Sequence, residues 1–187
     1  MTSVLSTALA PRSFTIDVEH DGDVFGRERL LDAAMGPRRF RKSSQRLREG
    51  RLPAMALVAR DERGRIVGTV RLWHVDAGGA PALLLGPLAV AEERRCDGIG
   101  GALMREAISS AKNAGHGAII LVGDAPYYAR FGFERRLTER LHMPGPVELD
   151  RFLALELRAG ALDGAHGRLR ATGAREAASL TRRRKAA

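Results

Sequence analysis

A strand, a glycine-rich loop, a helix and a second strand follow one another within residues 82–122, and this order constrains the fold more than any other feature. Residues 82–90 are mostly apolar, as in a buried strand. Residues 98–113 carry apolar side chains four apart, which predicts an amphipathic helix. Residues 118–122 form a second apolar run. Two strands joined by one helix run parallel with a right-handed crossover, so the sequence predicts an α/β fold.

Gly86-Pro87 interrupts the first of these strands. Proline has no amide hydrogen and cannot keep a hydrogen-bonded ladder intact inside a central strand. The sequence therefore predicts either a bulge at this point or a strand that separates here from one of its neighbours.

Further strands and helices flank this central unit. Alternating residues, short apolar runs and turn residues predict hairpin-like strands before the unit and one strand after it. The basic stretch over residues 38–51 has no clear pattern, although residues 45–49 are compatible with a helix. The other predicted elements are a strand over 14–18, a helix from about 24 to 36, hairpin strands over 54–60 and 66–74, a short helix over 126–130 and a strand over 152–157.

The length of 187 residues suits one domain with a real core, and the formal charge of +9 is unevenly placed. The sequence predicts a domain over residues 1–164 and a basic tail over residues 165–187. A basic tail can bind nucleic acid through counterion release, but simple solvation is the favoured interpretation. The basic residues of the tail are Arg168, Arg170, Arg175, Arg182, Arg183, Arg184 and Lys185.

The sequence shows neither the pattern of an export signal nor that of a membrane-spanning segment. No apolar run approaches the roughly 20 residues that cross a bilayer, and the first ten residues lack the charge and apolar segment of a signal peptide. A single cysteine excludes an internal disulfide. The sequence therefore predicts a cytoplasmic protein with no membrane partner. The five histidines show no ligand spacing, so no metal is expected.

The loop Arg95-Cys96-Asp97-Gly98-Ile99-Gly100-Gly101 precedes the central helix. Glycines let the backbone approach a ligand closely, and the free amides at a helix N-terminus favour an anion. The sequence therefore predicts a pyrophosphate site, with Arg95 adding charge. The loop is not a Walker motif, because no Gly-Lys-Ser/Thr follows it.

Two motifs in the expected order resemble those of the GNAT superfamily of N-acetyltransferases. Leu88-Ala89-Val90 followed by Arg95-x-x-Gly98-x-Gly100 resembles its acetyl-CoA motif. Residues 127–133 resemble its second motif, in which a tyrosine, here Tyr128, stands four residues before Gly-Phe. The resemblance covers residues 13 to about 160 and is greatest to the uncharacterised YhbS-like branch.

This resemblance implies a mixed, mostly antiparallel sheet in which a central parallel pair, residues 82–90 and 118–122, splays apart around the pantetheine of acetyl-CoA. It implies that a primary amine of a small molecule or peptide attacks the thioester directly and that Tyr128 protonates the departing thiolate. No metal is implied. Backbone amides of Leu88, Ala89 and Val90 would hold the pantetheine and polarise the carbonyl, and those of Cys96, Asp97, Gly98, Ile99, Gly100 and Gly101 would take the pyrophosphate.

Some residues depart from the family pattern. Residues 82–90 contain no glutamate to act as general base, so Asp124, a chain of waters or an amine that arrives deprotonated stay open as alternatives. An acyl-CoA-binding sensor without turnover is the alternative function. Cys96 is not expected to be a nucleophile, because a lone cysteine without a positioned histidine is usually inert. The acceptor and acyl length are not specified by the sequence, and a homodimer is left open.

Overall fold

A mixed sheet forms the centre of the fold in the computed structural model, which describes residues 13–177. Three helices pack against the sheet or connect its strands within these residues. The strands are β1 (Phe14–Val18), β2 (Met55–Asp61), β3 (Ile66–Ala77), β4 (Ala80–Val90), β5 (Ala118–Val122), β6 (Leu141–His142), β7 (Phe152–Glu156) and β8 (Gly167–Ala171). The helices are α1 (Val24–Met35), α2 (Ile99–Asn113) and α3 (Ala125–Ala129).

Antiparallel pairing joins most neighbours in the sheet. The main path runs β1-β2-β3-β4-β5-β7, and β8 pairs with β3 and β6. Among the described strands, the parallel pairs are β4 with β5 and the short pair of β6 with β8. The sheet is therefore mixed and mostly antiparallel with a parallel pair near its centre, which confirms the predicted fold class.

Apolar side chains pack on both faces of the sheet, because successive residues of a strand point to opposite sides. Leu83 and Ile119 belong to the core between the sheet and α2. Leu84 and Ile120 belong to the core on the other face. The continuous apolar runs of β4 and β5 are thus explained by burial on two sides.

Helix α2 packs on the first of these cores through residues four apart in the sequence. Ile99 is 1% exposed, and Leu103 and Ala107 are fully buried. The helix comes closest to the sheet at Gly68 of β3, where a Cβ atom would lie 2.7 Å from Ile99 Cγ2 and 2.9 Å from Leu103 Cδ1. Because Gly68 is in register with Val90, this contact holds the start of α2 beside the end of β4.

Strand β8 extends the sheet past the predicted domain boundary at residue 164. Residues 167–171 pair with β3 and β6, and Leu169 is 1% exposed within the core. Arg168 and Arg170 flank it and are exposed, so the segment is a half-buried strand rather than a run of solvated charge. The sequence predicted a basic tail here because the segment contains these two arginines. The basic residues from Arg182 onward lie outside the described residues.

The other predicted elements lie close to their expected positions. Helix α1 ends at Met35, as its pattern predicts, and the stretch compatible with a helix is a 3₁₀ helix over Ser43–Leu47. Strand β3 continues beyond residue 74 to Ala77. Strand β6 was not predicted, because two residues are too few to show a period. None of the helices in residues 13–177 combines the length and the hydropathy that crossing a bilayer requires.

Gly68→Ala should destabilise the protein by about 1–3 kcal/mol, because its methyl group would overlap Ile99 and Leu103. Urea unfolding followed by circular dichroism measures this. Gly22→Ala is the matched control, since a Cβ there meets nothing within 4 Å, and should change the free energy of unfolding by less than about 0.5 kcal/mol. A Gly68→Ala protein as stable as the wild type would contradict the close approach of α2.

Candidate active site

The two parallel strands at the centre of the sheet separate after a short paired stretch. Strand β4 pairs with β5 only at Leu83 with Ile119 and at Leu84 with Ile120. Beyond this point β5 stays paired with β7, and β4 stays paired with β3 as far as Val90. The β4 edge that faces β5 therefore has no strand partner, within the described residues, from position 85 onward.

A bulge lies at the point where the strands separate. Val70 faces Leu88 and Leu72 faces Leu85, so one residue of β3 opposes the two residues Gly86 and Pro87. The peptide bond between these two is cis. The indole Nε1 of Trp73 donates a hydrogen bond to the Gly86 carbonyl at 2.7 Å. Both sequence alternatives are thus realised, because β4 bulges against β3 and separates from β5.

The glycine-rich loop places unpaired backbone amides at the start of α2. Cys96 and Gly98 both adopt left-handed conformations, with φ of 77° and 78°. The Ala102 amide donates to the Gly98 carbonyl at 2.9 Å, so the amides of residues 99–101 precede the hydrogen-bonded ladder of the helix. A left-handed non-glycine residue costs roughly 1–2 kcal/mol, and such strain clusters at ligand-binding sites.

A cavity of about 960 Å³ opens at this helix N-terminus. Within the described part of the chain, no carboxylate lines it. Arg94 is paired with Asp97 at 2.5 Å and Arg95 with Glu92 at 3.5 Å, both ion pairs at the rim. The charge of the cavity therefore favours a polyanion. The cations that line it are Arg94, Arg95, Arg105, Lys112 and Arg130.

Three of these cations were missed by the sequence interpretation. Arg105 and Lys112 were assigned to the solvated face of α2. Arg130 lies in the motif over residues 127–133, in which only the tyrosine was given a role. The spacing of these residues could have predicted their position. Arg105 lies four residues after Gly101 and Lys112 lies seven residues after Arg105, so the three share one face of the helix. Basic residues on the same face as a phosphate-binding loop indicate a longer anion site.

A second cavity, of about 730 Å³, lies where β4 and β5 diverge. Its walls come from α1, the basic stretch over residues 38–51, the bulge of β4 and the residues that follow β5. Tyr127 lines both cavities, so the two meet at its ring. A Cβ on Gly100 would lie 2.9 Å from the Tyr127 hydroxyl, and the Arg130 guanidinium stacks 4.4 Å from its ring centroid.

Tyr128 lines the 730 Å³ cavity and packs against the backbone of Gly123, where any Cβ would collide with its ring. Its ring makes edge contacts with Tyr127 and with Phe133, at centroid distances of 5.0 Å and 5.9 Å. Burial, aided by Tyr127 and Asp124 and opposed by Arg151, raises the pKa of Tyr128 to about 12. The phenol therefore keeps its proton at neutral pH.

An ion network forms the wall of the 730 Å³ cavity under α1. Arg71 donates from Nε to Glu19 at 2.8 Å, and Arg27 binds both Glu19 and Glu28. Arg39 continues the network to Glu28. Although burial opposes it, hydrogen bonding from Arg39 and Arg27 holds the pKa of Glu28 below its ordinary value. Glu28 is therefore a weak candidate for a general base.

The predicted site residues are distributed around the two cavities. Arg95, Cys96, Val90 and residues 98–101 line the 960 Å³ cavity, and Leu88 lines the other. Ala89 is buried against Leu30 and Leu31 of α1, so its side chain cannot reach a ligand. Asp97 lines neither cavity and pairs with Arg94.

Asp124, one of the alternatives for a general base, is exposed at the mouth of the 730 Å³ cavity. Its carboxylate accepts a hydrogen bond from the Tyr127 amide at 3.4 Å and so caps α3. Across residues 13–177, no group of three or more His, Cys, Asp or Glu side chains is placed to hold a metal ion.

Comparison with known proteins agrees with this geometry. A sequence model of the acetyltransferase (GNAT) domain matches residues 53–135. The uncharacterised N-acetyltransferase YhbS of Escherichia coli K12 is 32% identical over 154 residues, which cover 81% of this chain and 92% of YhbS. The chain therefore belongs to the GNAT family of N-acetyltransferases, and the resemblance to its YhbS-like branch is confirmed.

Solved structures of the family resemble this fold. The structure of E. coli YhbS in complex with CoA superposes with a TM-score of 0.76 at 30% identity, covering 87% of this chain and 92% of YhbS. A GNAT acetyltransferase from Brucella melitensis in complex with acetyl-CoA gives a TM-score of 0.61 at 27% identity, covering 78% of this chain and 88% of that protein.

The burial of Tyr128 can be tested by titrating its phenol. The chain has two tyrosines, so a Tyr127→Phe variant reports Tyr128 alone. Phenolate absorbance of the folded variant should rise with a pKa well above the ordinary value, because burial disfavours the phenolate. The same variant unfolded in guanidinium should titrate near the ordinary value of about 10. Equal titration in both states would mean that the ring is exposed.

Proposed function

We propose that the protein transfers an acetyl or other short acyl group from CoA to a primary amine by direct attack. The observation that carries this proposal is the separation of β4 from β5 beside the N-terminus of α2. A free strand edge and a set of free amides then lie next to each other. The CoA and acetyl-CoA complexes of the two relatives support the assignment of the donor.

The described residues fit a CoA thioester. The amides of Cys96 and of residues 98–101 would bind the pyrophosphate, and the surrounding cations would bind the remaining phosphate charge. Leu88, Ala89 and Val90 lie on the separated strand, where an extended pantetheine chain can pair with those backbone groups that point away from β3, as an added strand would. The 960 Å³ cavity thus becomes the donor site and the 730 Å³ cavity the acceptor site.

A CoA thioester supplies an acyl carbon that an amine can attack without a covalent enzyme intermediate. As the carbon–nitrogen bond forms and the carbon–sulfur bond breaks, the β4 amides would donate hydrogen bonds to the carbonyl oxygen as it gains charge. Tyr128 would give its phenol proton to the departing sulfur, and the attacking nitrogen would release one proton to solvent or to a base. Because its pKa is raised to about 12, Tyr128 carries its proton at neutral pH and cannot act as the base, while the same shift makes the phenol a weaker acid than a free tyrosine.

The proposal assigns no carboxylate of the acceptor site as a dedicated strong base. Glu28 is held in its charged form by two arginines, and Asp124 is exposed and caps α3. An amine that enters deprotonated, or loses its proton to water or to Asp124, is compatible with these contacts. A protein that bound acetyl-CoA but released no CoA with any amine would instead be an acyl-CoA sensor.

Tyr128→Phe should lower kcat by about 10²–10⁴-fold, because the departing sulfur loses its proton donor. The Kd for CoA, measured by isothermal titration, should stay within about two-fold, since Tyr128 lines the acceptor site and not the donor site. Thiol release from acetyl-CoA measures kcat. Tyr127→Phe is the matched control and should have a smaller effect on kcat. An unchanged kcat in Tyr128→Phe would remove Tyr128 from the chemistry.

Replacing Arg105 and Lys112 together by glutamine should raise the Kd for CoA by about 10-fold or more, because each removes a charged donor from the donor site. Arg63→Gln combined with Arg170→Gln, both at exposed positions outside the two cavities, is the matched loss of two charges. Its Kd should not change. Equal weakening by the two sets of substitutions would indicate a general effect of net charge instead of a defined site.

A further inference from the structure

Three cations from separate parts of the chain line the acceptor site: Lys42, Arg48 and Arg151. Lys42 and Arg48 belong to the basic stretch over residues 38–51, and Arg151 precedes β7. Burial and the like charges of Arg48 and Arg151 lower the pKa of Lys42, so Arg48 and Arg151 each lie within electrostatic reach of Lys42. We call these three residues the cation cluster.

Arg48 is the best-held member of the cation cluster. Its Nε donates to the Ser44 carbonyl at 3.1 Å and its Nη2 to the Ser44 hydroxyl at 2.5 Å. These bonds fix the plane of the guanidinium and leave Nη1 to the cavity. A Cβ on Gly86 would lie 3.9 Å from Nη1, so this nitrogen stands beside the bulge where β4 leaves β5.

Four carboxylates line the acceptor site together with the cluster: Glu28, Glu49, Asp124 and Glu176. Within the described chain, neither Lys42 nor Arg48 forms an ion pair with any carboxylate, and Arg151 has only an exposed contact with Glu148 at 3.7 Å. Glu28 is engaged by Arg27 and Arg39. Burial and the neighbouring charge of Arg39 lower the pKa of Arg48 to about 10.

Lys42 and Arg151 are exposed and Arg48 is half-buried, and a half-buried cation without a counter-ion is costly to a fold unless an anion joins it. A guanidinium held in a fixed plane with a free edge suits a carboxylate or phosphate, since both offer two oxygens at matching spacing. In the ion network under α1, by contrast, each arginine pairs with a carboxylate of the chain.

We propose that the amine acceptor carries a carboxylate or a phosphate, and that Arg48, assisted by Lys42 and Arg151, binds this anionic group. This inference rests on the proposed acyl transfer, because it assigns the acceptor of that reaction. Since Arg48 stands beside the strand opening, the anionic group and the attacking nitrogen are separated by few bonds. The acceptor class is therefore a small amino acid or an aminoalkyl phosphate.

Matched pairs of amines test the inference. Each pair consists of an anionic amine and a neutral twin of similar size: glycine and glycinamide, β-alanine and β-alaninamide, O-phosphoethanolamine and ethanolamine. Thiol release from acetyl-CoA gives kcat/KM, corrected for the fraction of each amine that is deprotonated. At least one anionic amine should exceed its neutral twin by about 10-fold or more, the value of one charge-assisted contact. The phosphate pair distinguishes a phosphate acceptor from a carboxylate acceptor.

Three substitutions locate the effect. Arg48→Gln should lower kcat/KM for the anionic amine more than for its twin and so bring their ratio toward one. Arg48→Lys should restore part of the ratio, because it keeps the charge but loses the planar donors. Arg63→Gln should leave the ratio as in the wild type. Neutral twins that react as well as the anionic amines in all three pairs, or an Arg48→Gln ratio equal to the wild type, would overturn the inference.

A binding measurement separates failure of this inference from failure of the proposed reaction. Inorganic phosphate is titrated into protein saturated with CoA, so that the donor site is filled. Binding should be lost in Arg48→Gln and kept in Arg63→Gln. Arg48-dependent phosphate binding without CoA release from any amine would reject acyl transfer and keep the anion site. Turnover of neutral amines without such binding would keep acyl transfer and reject the anion site. Unfolding midpoints of the variants show whether each is folded.

Discussion

The separation of two parallel strands is the constraint on which the rest of the site depends. Backbone amides and carbonyls need hydrogen-bond partners, so a strand edge that leaves its neighbour inside a sheet must find other ones. Strand β4 keeps its ladder to β3 through a bulge at Gly86 and Pro87 while its other edge leaves β5. The sheet stays continuous on one side of β4, and an extended ligand can take the place of a strand on the other.

Charge divides the opening into two chemically different halves. The cavity at the start of α2 is lined by cations without a lining carboxylate in the described chain, which suits a polyphosphate. The other cavity carries a balanced ion network on one wall and the cation cluster on another. Tyr127 lies between the halves, and the raised pKa of Tyr128 keeps a proton available where they meet. The burial that packs these rings thus also sets their chemistry.

Local patterns predicted the central unit closely, and long-range contacts explain the remaining differences. Helix α2 could be predicted from its apolar period, and strands β4 and β5 from their continuous apolar runs. Glycines mark the ends of these elements. Strand β8 was mistaken for part of a tail, because its alternation of arginines with apolar residues covers only five positions within a basic C-terminal segment. Only its pairing with β3, more than 90 residues earlier in the chain, buries Leu169.

The sequence by itself determined the strand–loop–helix–strand unit, the break at Gly86-Pro87 and the position of Tyr128, because each is written in neighbouring residues whose backbone preferences are local. Tertiary structure alone decided that Arg48 would stand beside Gly86 and that Glu19 would be shared by Arg27 and Arg71. Charged side chains show no period that reveals their partners. Their roles depend on which distant segments the packed sheet brings together.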